Sequence, residues 1–132
     1  MYDIIGGGKI GDNHEQLTLG ELQEKLLEFN SFRDIRFVGS EYSPSGASCY
    51  RGSYDELAIN YSTDEINVGQ FSRMLKDILS KTYTGYKGGK YEMWSTTPVW
   101  VARDYSDYSQ MAIVSVFLSE DGYVYLGTRF KD

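Results

Sequence analysis

The chain has one cysteine, Cys49, and one histidine, His14. A single cysteine rules out a disulfide within the chain and points to a reducing compartment. One cysteine and one histidine also fall short of a four-ligand zinc site. As a nucleophile and base the two carry no local signature. Cys49 stands in a strand-like stretch, where a small buried hydrophobe is the commoner role. No apolar run approaches the ~20 residues of a membrane-spanning helix. Residues 1–9 lack an apolar stretch long enough for a secretory signal. Basic excess is missing too. The net charge is −6, which argues against wholesale nucleic-acid binding, because such a protein must neutralise phosphates. A locally basic pocket for a small phosphorylated ligand is still compatible with that charge. The acidic residues are scattered and do not mimic a nucleic acid.

What the chain does have is room for one domain, residues 1–132, able to bury roughly two-thirds of its unfolded surface. Hydrophobic residues at 41% and charged residues at 24% make a globular composition. Aromatic residues reach 15%, with 12 tyrosines. Tyrosine suits binding surfaces, where a rigid ring carries a polar tip. It suits strands equally well.

The chain opens on a short strand at residues 2–5 and a glycine-rich turn. Thr18 with Glu21 makes a capping box, and Leu19, Leu22, Leu26 and Phe29 follow at helical spacing. A strand over 35–38 points Ile35 and Phe37 inward. Residues 43–46 read as a turn or exposed loop. Two strands follow, over 48–54 and 57–61. Asn67 with Gln70 opens a second helix whose apolar face is Val68, Phe71, Met74, Leu75, Ile78 and Leu79. Strand-like runs cover 83–86, 91–94, 99–103, 111–118 and 123–129. Asp121-Gly122 joins the last two as a hairpin. The stretch 97–103, entered through Pro98, reads as an edge strand, with Trp100 in the core. The fold class is therefore α+β, with antiparallel sheet packed on two central helices. The helix starts Thr18-Leu19-Gly20-Glu21-Leu22 and Asn67-Val68-Gly69-Gln70-Phe71 match each other. An internal duplication and a merely local likeness of good helix starts both account for that. The glycine near each start suits close approach of another backbone or of an anion.

Gly6-Gly7-Gly8-Lys9-Ile10-Gly11 matches the dinucleotide-binding glycine pattern. Its helix, however, opens only at Thr18, so a flexible turn explains it better. The pairs Asp55-Glu56 and Asp64-Glu65 fall in turn-like places, where solvated acids are normal. Two other segments carry binding chemistry. In Tyr50-Arg51-Gly52-Ser53-Tyr54, Arg51 offers a forked donor set for phosphate, Gly52 lets a ligand approach the backbone, and Tyr54 offers a stacking face. The bland alternative is a strand with a bulge at Gly52. In the segment 82–91, Thr84, Tyr86, Lys87 and Tyr91 surround three glycines able to form an anion-binding nest. The bland alternative is a hairpin whose Lys87-Gly88-Gly89-Lys90 turn needs positive φ. Arg103, at the end of the stretch 97–103, adds a further cation.

The order Tyr50-Arg51-Gly52-Ser53-Tyr54-Asp55-Glu56-Leu57-Ala58, then Val68-Gly69-Gln70-Phe71, Thr84-Gly85-Tyr86-Lys87-Gly88-Gly89 and Thr97-Pro98-Val99-Trp100-Val101-Ala102, covers about two-thirds of the chain. It resembles a family of small phage-encoded proteins. In size and layout that family is similar to the Thoeris anti-defence family one sponges. The resemblance implies a homo-oligomer in the host cytoplasm that sequesters a nucleotide-derived signal of the cyclic ADP-ribose type without cleaving it. It implies neither cofactor, catalytic residue, metal, membrane nor bulk nucleic acid as a partner. Arg51 and Lys87 would then hold phosphates, and Tyr54, Tyr86 or Tyr91 would stack on the base. Residues 1–16 have no counterpart in the resemblance. A protein–protein inhibitor of a host defence complex, anti-CRISPR-like, fits the acidity and the tyrosines as well. A phosphodiesterase-like enzyme is a third reading, against which the single histidine weighs.

Overall fold

Each of the two helices begins at a residue whose side chain closes a reciprocal pair of hydrogen bonds. The computed structural model describes residues 15–131, apart from residues 53, 80, 86, 104–106, 108 and 109. The strand and turn read within residues 2–11, and His14, lie outside the described residues. Helix α1 (Leu19–Leu26) is capped by Thr18. The Thr18 hydroxyl accepts from the Glu21 N–H at 3.2 Å, and the Glu21 carboxylate accepts from the Thr18 N–H at 2.9 Å. Helix α2 (Val68–Ile78) repeats the device with Asn67 and Gln70, at 2.8 Å in both directions. Most of the apolar spacing read in the sequence becomes the buried face, but Leu79, expected on that face, follows α2 as its cap residue and is exposed. Leu19, Leu22 and Leu26 of α1 share one core with Val68, Phe71, Leu75 and Ile78 of α2.

Helix starts leave backbone N–H groups without intrahelical partners. Here another segment takes them. The Leu19 and Gly20 N–H groups donate to the carbonyls of Thr97 and Ser95, both at 2.8 Å. Those of Val68 and Gly69 donate to Arg33 and Ser31, at 2.9 and 3.0 Å. The contacts are close enough to explain both glycines. A Cβ on Gly20 would stand 3.0 Å from the Ser95 carbonyl oxygen, and one on Gly69 would stand 3.1 Å from the Ser31 Cβ.

Strands β1 (Asp34–Phe37), β2 (Ser43–Cys49), β3 (Leu57–Ser62), β4 (Ile66–Asn67), β7 (Val99–Val101), β8 (Met111–Leu118) and β9 (Val124–Phe130) form a seven-stranded sheet. Its order is β2-β3-β7-β8-β9-β1-β4. Strands β5 (Thr82–Thr84) and β6 (Lys90–Glu92) form a separate hairpin. The sheet is mixed, because β1 pairs with β9, and β3 with β7, in parallel. Strand β2 at one edge still contacts β1 and β4 at the other, and the Phe37 N–H donates to the Tyr42 carbonyl at 2.9 Å. The sheet therefore curls. No helix among the described residues is long and apolar enough to cross a membrane.

Several expectations need correction. The strand expected over 48–54 ends at Cys49, and Tyr50–Gly52 form a tight turn. Residues 43–46 are not an exposed loop but the start of β2, with Ser43 and Pro44 buried. The proline is tolerated because β2 is an edge strand with a bulge between Pro44 and Gly46. Strand β7 is interior, between β3 and β8. Pro98 does not cost it a ladder bond, because Pro98 precedes the strand and bridges Thr18. Where β7 and β8 part, residue Leu17 fills the gap: its N–H donates to Ile113 and its carbonyl accepts from Val99. Finally, Trp100 lies outside the main core, half-buried on the other face of the sheet against Ala112, Val114, Ala58 and Ala102.

Replacing Thr18 with alanine should lower the unfolding free energy by about 1 kcal/mol in urea titrations followed by circular dichroism, and Thr18→Ser should recover most of it. An unchanged midpoint for Thr18→Ala would show that docking on Ser95 and Thr97 suffices to place α1.

Candidate functional site

The loop between β2 and β3 is built around Tyr50. Strand β2 ends at Cys49, and residues Tyr50–Gly52 make a single tight turn. The Tyr50 N–H donates to the Glu56 carbonyl at 2.7 Å, closing the loop before β3 begins. The Tyr50 ring lies flat on the Trp100 indole, with centroids 4.3 Å apart and planes parallel. The Trp100 N–H donates to Glu56 Oε1 at 2.6 Å. Small side chains at Ala58 and Ala102 leave the shelf on which Tyr50 rests.

Arg51 is the unusual residue. Its backbone is left-handed, at φ 58° and ψ 13°, and Gly52 follows at φ 72°. For a side-chain-bearing residue that conformation costs about 1–2 kcal/mol. The guanidinium sits 5.0 Å from the Tyr50 ring centre and 5.9 Å from that of Tyr54. Tyr54 meets Tyr50 edge-on and is 44% exposed. Cation–aromatic contacts return about 0.5–1 kcal/mol each at exposed sites. Gln110 is the other non-glycine residue with positive φ among the described residues. Its N–H donates to the Tyr50 hydroxyl at 3.2 Å. Both strained residues thus touch the same tyrosine. Strain of this kind persists where its surroundings over-determine it, and it clusters at functional sites.

The β5–β6 hairpin turns as its glycines suggest. The Gly88 N–H donates to Gly85, the Gly85 N–H donates to Gly89, and Gly88 has φ 88°. Gly85 is buried against the backbone of Gly52, and a Cβ there would overlap the Gly52 carbonyl oxygen and come within 2.7 Å of the Tyr91 ring. The two segments singled out in the sequence therefore meet, glycine to glycine.

Arg51 and Tyr54 belong to the loop that carries Gly52, and Thr84 and Tyr91 to the hairpin that carries Gly85. Lys90 Nζ donates to Thr84 Oγ1 at 3.1 Å, and Lys87 is exposed at the hairpin turn. Tyr86 lies outside the described residues. Arg103 is exposed beyond the end of β7, with its N–H on Asp107 Oδ2 at 2.7 Å. An open groove of about 490 Å³ runs beside the hairpin, with Asp55, Lys90, Glu92 and the half-exposed Trp94 in its walls.

The sequence reading missed Tyr50 and Trp100 as the support of the site. The available signal was alternation: with Val99 and Val101 inward, Trp100 points outward. Cys49 is buried, and burial pushes its thiol up, with the charge of Asp55 adding to the effect. It is therefore protonated at neutral pH. Among the described residues no three histidine, cysteine, aspartate or glutamate side chains group as a metal site. No family model, curated protein or solved structure matches the chain.

The two hairpin glycines should separate in a stability assay. Gly85→Ala forces a methyl group into backbone and should cost about 2–3 kcal/mol. At Gly88 the added methyl meets nothing within 4 Å, so Gly88→Ala should cost only about 1 kcal/mol of left-handed strain. Urea midpoints in the reverse order would refute the packing of the hairpin on Gly52.

Proposed function

We propose that this protein binds and sequesters a nucleotide-derived signal of the cyclic ADP-ribose type, without cleaving it, as a phage anti-defence protein in the host cytoplasm. The carrying observation is the left-handed Arg51, with its guanidinium set against the faces of Tyr50 and Tyr54. A guanidinium matches a phosphate in fork geometry, and the exposed Tyr54 face suits a base. Gly52 and Gly85, expected to admit a ligand, are instead buried against each other, and that contact sets the Arg51 loop beside the hairpin. Lys87 adds a cation from the hairpin. The groove beside Trp94 sets one lysine against two carboxylates, so the phosphates belong on the Arg51 side. The likeness to the anti-defence sponges points the same way. The reading needs no nucleophile, in keeping with a protonated, buried Cys49. A homo-oligomer would use the strongly exposed Leu27 and Phe32 as contacts.

We also infer an internal duplication, with the sheet packed on two central helices. Both helices open on a capping box and dock two N–H groups on alternate carbonyls just ahead of a strand. The cap residues take equivalent partners, Thr18 with Pro98 and Asn67 with Asp34. Strand β1 runs parallel to β9 as β7 does to β3. The β2–β3 and β8–β9 ladders each carry a bulge, at Pro44/Gly46 and Ile113/Ser115. In that scheme the Arg51 loop corresponds to the plain Asp121-Gly122 turn. The chemistry is not duplicated, and the halves serve one composite site.

Incubation with cyclic ADP-ribose isomers and cyclic oligonucleotides, removal of free ligand, then heat release and mass spectrometry tests the proposal. Intact ligand should be recovered in stoichiometric amount. Arg51→Ala should lower its affinity at least tenfold, as expected for loss of a charge-assisted phosphate contact. Cleaved product, or a stoichiometric host protein with no ligand in the filtrate, would overturn it.

A further inference from the structure

The curl of the sheet leaves a cleft where β1 and β7 end, on the opposite face of β7 from Trp100. It measures about 290 Å³, roughly twice the ~150 Å³ of an apolar cavity that takes up one benzene ring. We infer that this cleft is a second binding site, for a flat aromatic molecule carrying a cationic nitrogen.

The walls are aromatic and apolar: Phe37, Tyr42, Tyr61, Val101 and Met111. Phe37 and Val101 are buried and form the floor. Tyr61 stands edge-on to Phe37 at 6.2 Å and 50° from the plane of Tyr42 at 4.9 Å. Tyr42 is 44% exposed, so its ring gives the cleft an accessible wall. Such rings present negative faces, which attract a cation and stack a planar group. Asp107 is the one charged side chain among the described residues lining the cleft. The Arg103 N–H donates to Asp107 Oδ2 at 2.7 Å and fixes the carboxylate. A carboxylate has about four acceptor positions, so it can still receive a donor from a ligand.

The Tyr42 wall is held ready. Gly39, at φ 75°, turns the chain after β1. The Ser40 hydroxyl donates to the Phe37 carbonyl at 2.9 Å and accepts from the Tyr42 N–H at 3.1 Å. A wall fixed before binding loses little freedom on binding. The cleft is separate from the Arg51 site, because successive strand residues point to opposite faces. Val101 faces the cleft, while Trp100 carries Tyr50. Carboxylate and aromatic faces reject the anionic ligand proposed for Arg51 and select its electrostatic opposite.

Titration of protein labelled at methionine methyls and backbone amides tests the inference by NMR. The probes are tyramine, 4-methylphenol and 3-(4-hydroxyphenyl)propionate, which share a phenol ring and differ in charge. Tyramine should shift the Met111 methyl and the Gly39 amide saturably, and bind about tenfold more tightly than the propionate, as one charge-assisted contact predicts. Asp107→Asn should remove that preference and leave 4-methylphenol unchanged. Tyr42→Ala, with an unchanged far-UV circular dichroism spectrum as the control for folding, should weaken all three. Arg51→Ala should alter none. The inference fails if no probe gives saturable shifts at Met111 below about 10 mM, if affinity ignores charge, or if Arg51→Ala abolishes binding.

Discussion

The structure depends on how its helices begin. Each gives its first two N–H groups to carbonyls in a segment that leads into a strand: Ser95 and Thr97 ahead of β7, Ser31 and Arg33 ahead of β1. An unsatisfied helix start is costly when buried, and here the need doubles as a tether between elements far apart in sequence. Because the tether is backbone to backbone, it leaves little room for a side chain at positions 20 and 69, which favours glycine there despite the roughly 1 kcal/mol that glycine costs in a helix. It also holds β1 and β7 on the sheet, where each takes a parallel partner. The curl of the sheet and the cleft at its end follow from those two placements.

Tyr50 does for the loop what the capping residues do for the helices. Its ring rests on Trp100, its hydroxyl holds Gln110, and its face receives Arg51. Two left-handed residues on separate connections are expensive, and a single buried aromatic side chain contacts both. The glycine contact between residues 52 and 85 then seats the hairpin on the loop, while Tyr83 and Tyr91 pack it against the core. A methyl group at Gly85 would overlap the Gly52 carbonyl, so the approach of the hairpin to the Arg51 loop depends on an absence of atoms.

Local chemistry was readable from the residues alone. The two capping boxes, the apolar helix faces, the inward Ile35 and Phe37, and the turns at Asp121-Gly122 and Lys87-Gly88 are all settled by neighbours within a few positions. Pairings were less readable. Nothing near Ile35 names Val124 as its parallel partner, and nothing near Leu57 names Val99. The proline rule misled at both prolines, for opposite reasons: Pro44 sits inside an edge strand at a bulge, and Pro98 stands just ahead of an interior one. Of the site, Arg51 and Tyr54 were legible by type, and their support was not. Tyr50 reads as one tyrosine among 12 until Trp100 is known to lie beneath it. The cleft was illegible because Tyr42 and Asp107 sit in connections that only the curl of the sheet brings together.

Strand β7 is where these parts converge, although it is three residues long. Its approach, Ser95 to Pro98, receives α1. Val99 takes Leu17 on one side and pairs with Leu57 on the other. Trp100 faces outward and carries Tyr50, and with it Arg51. Val101 faces inward and floors the cleft, and Asp107 lines it as well. Alternation along a single strand therefore sets Trp100, Tyr50 and Arg51 on one face and the aromatic cleft with Asp107 on the other. A strand so short has little hydrogen bonding of its own to hold it. Its position comes from neighbours on both sides, and only an interior place, not the edge place its proline suggested, provides both.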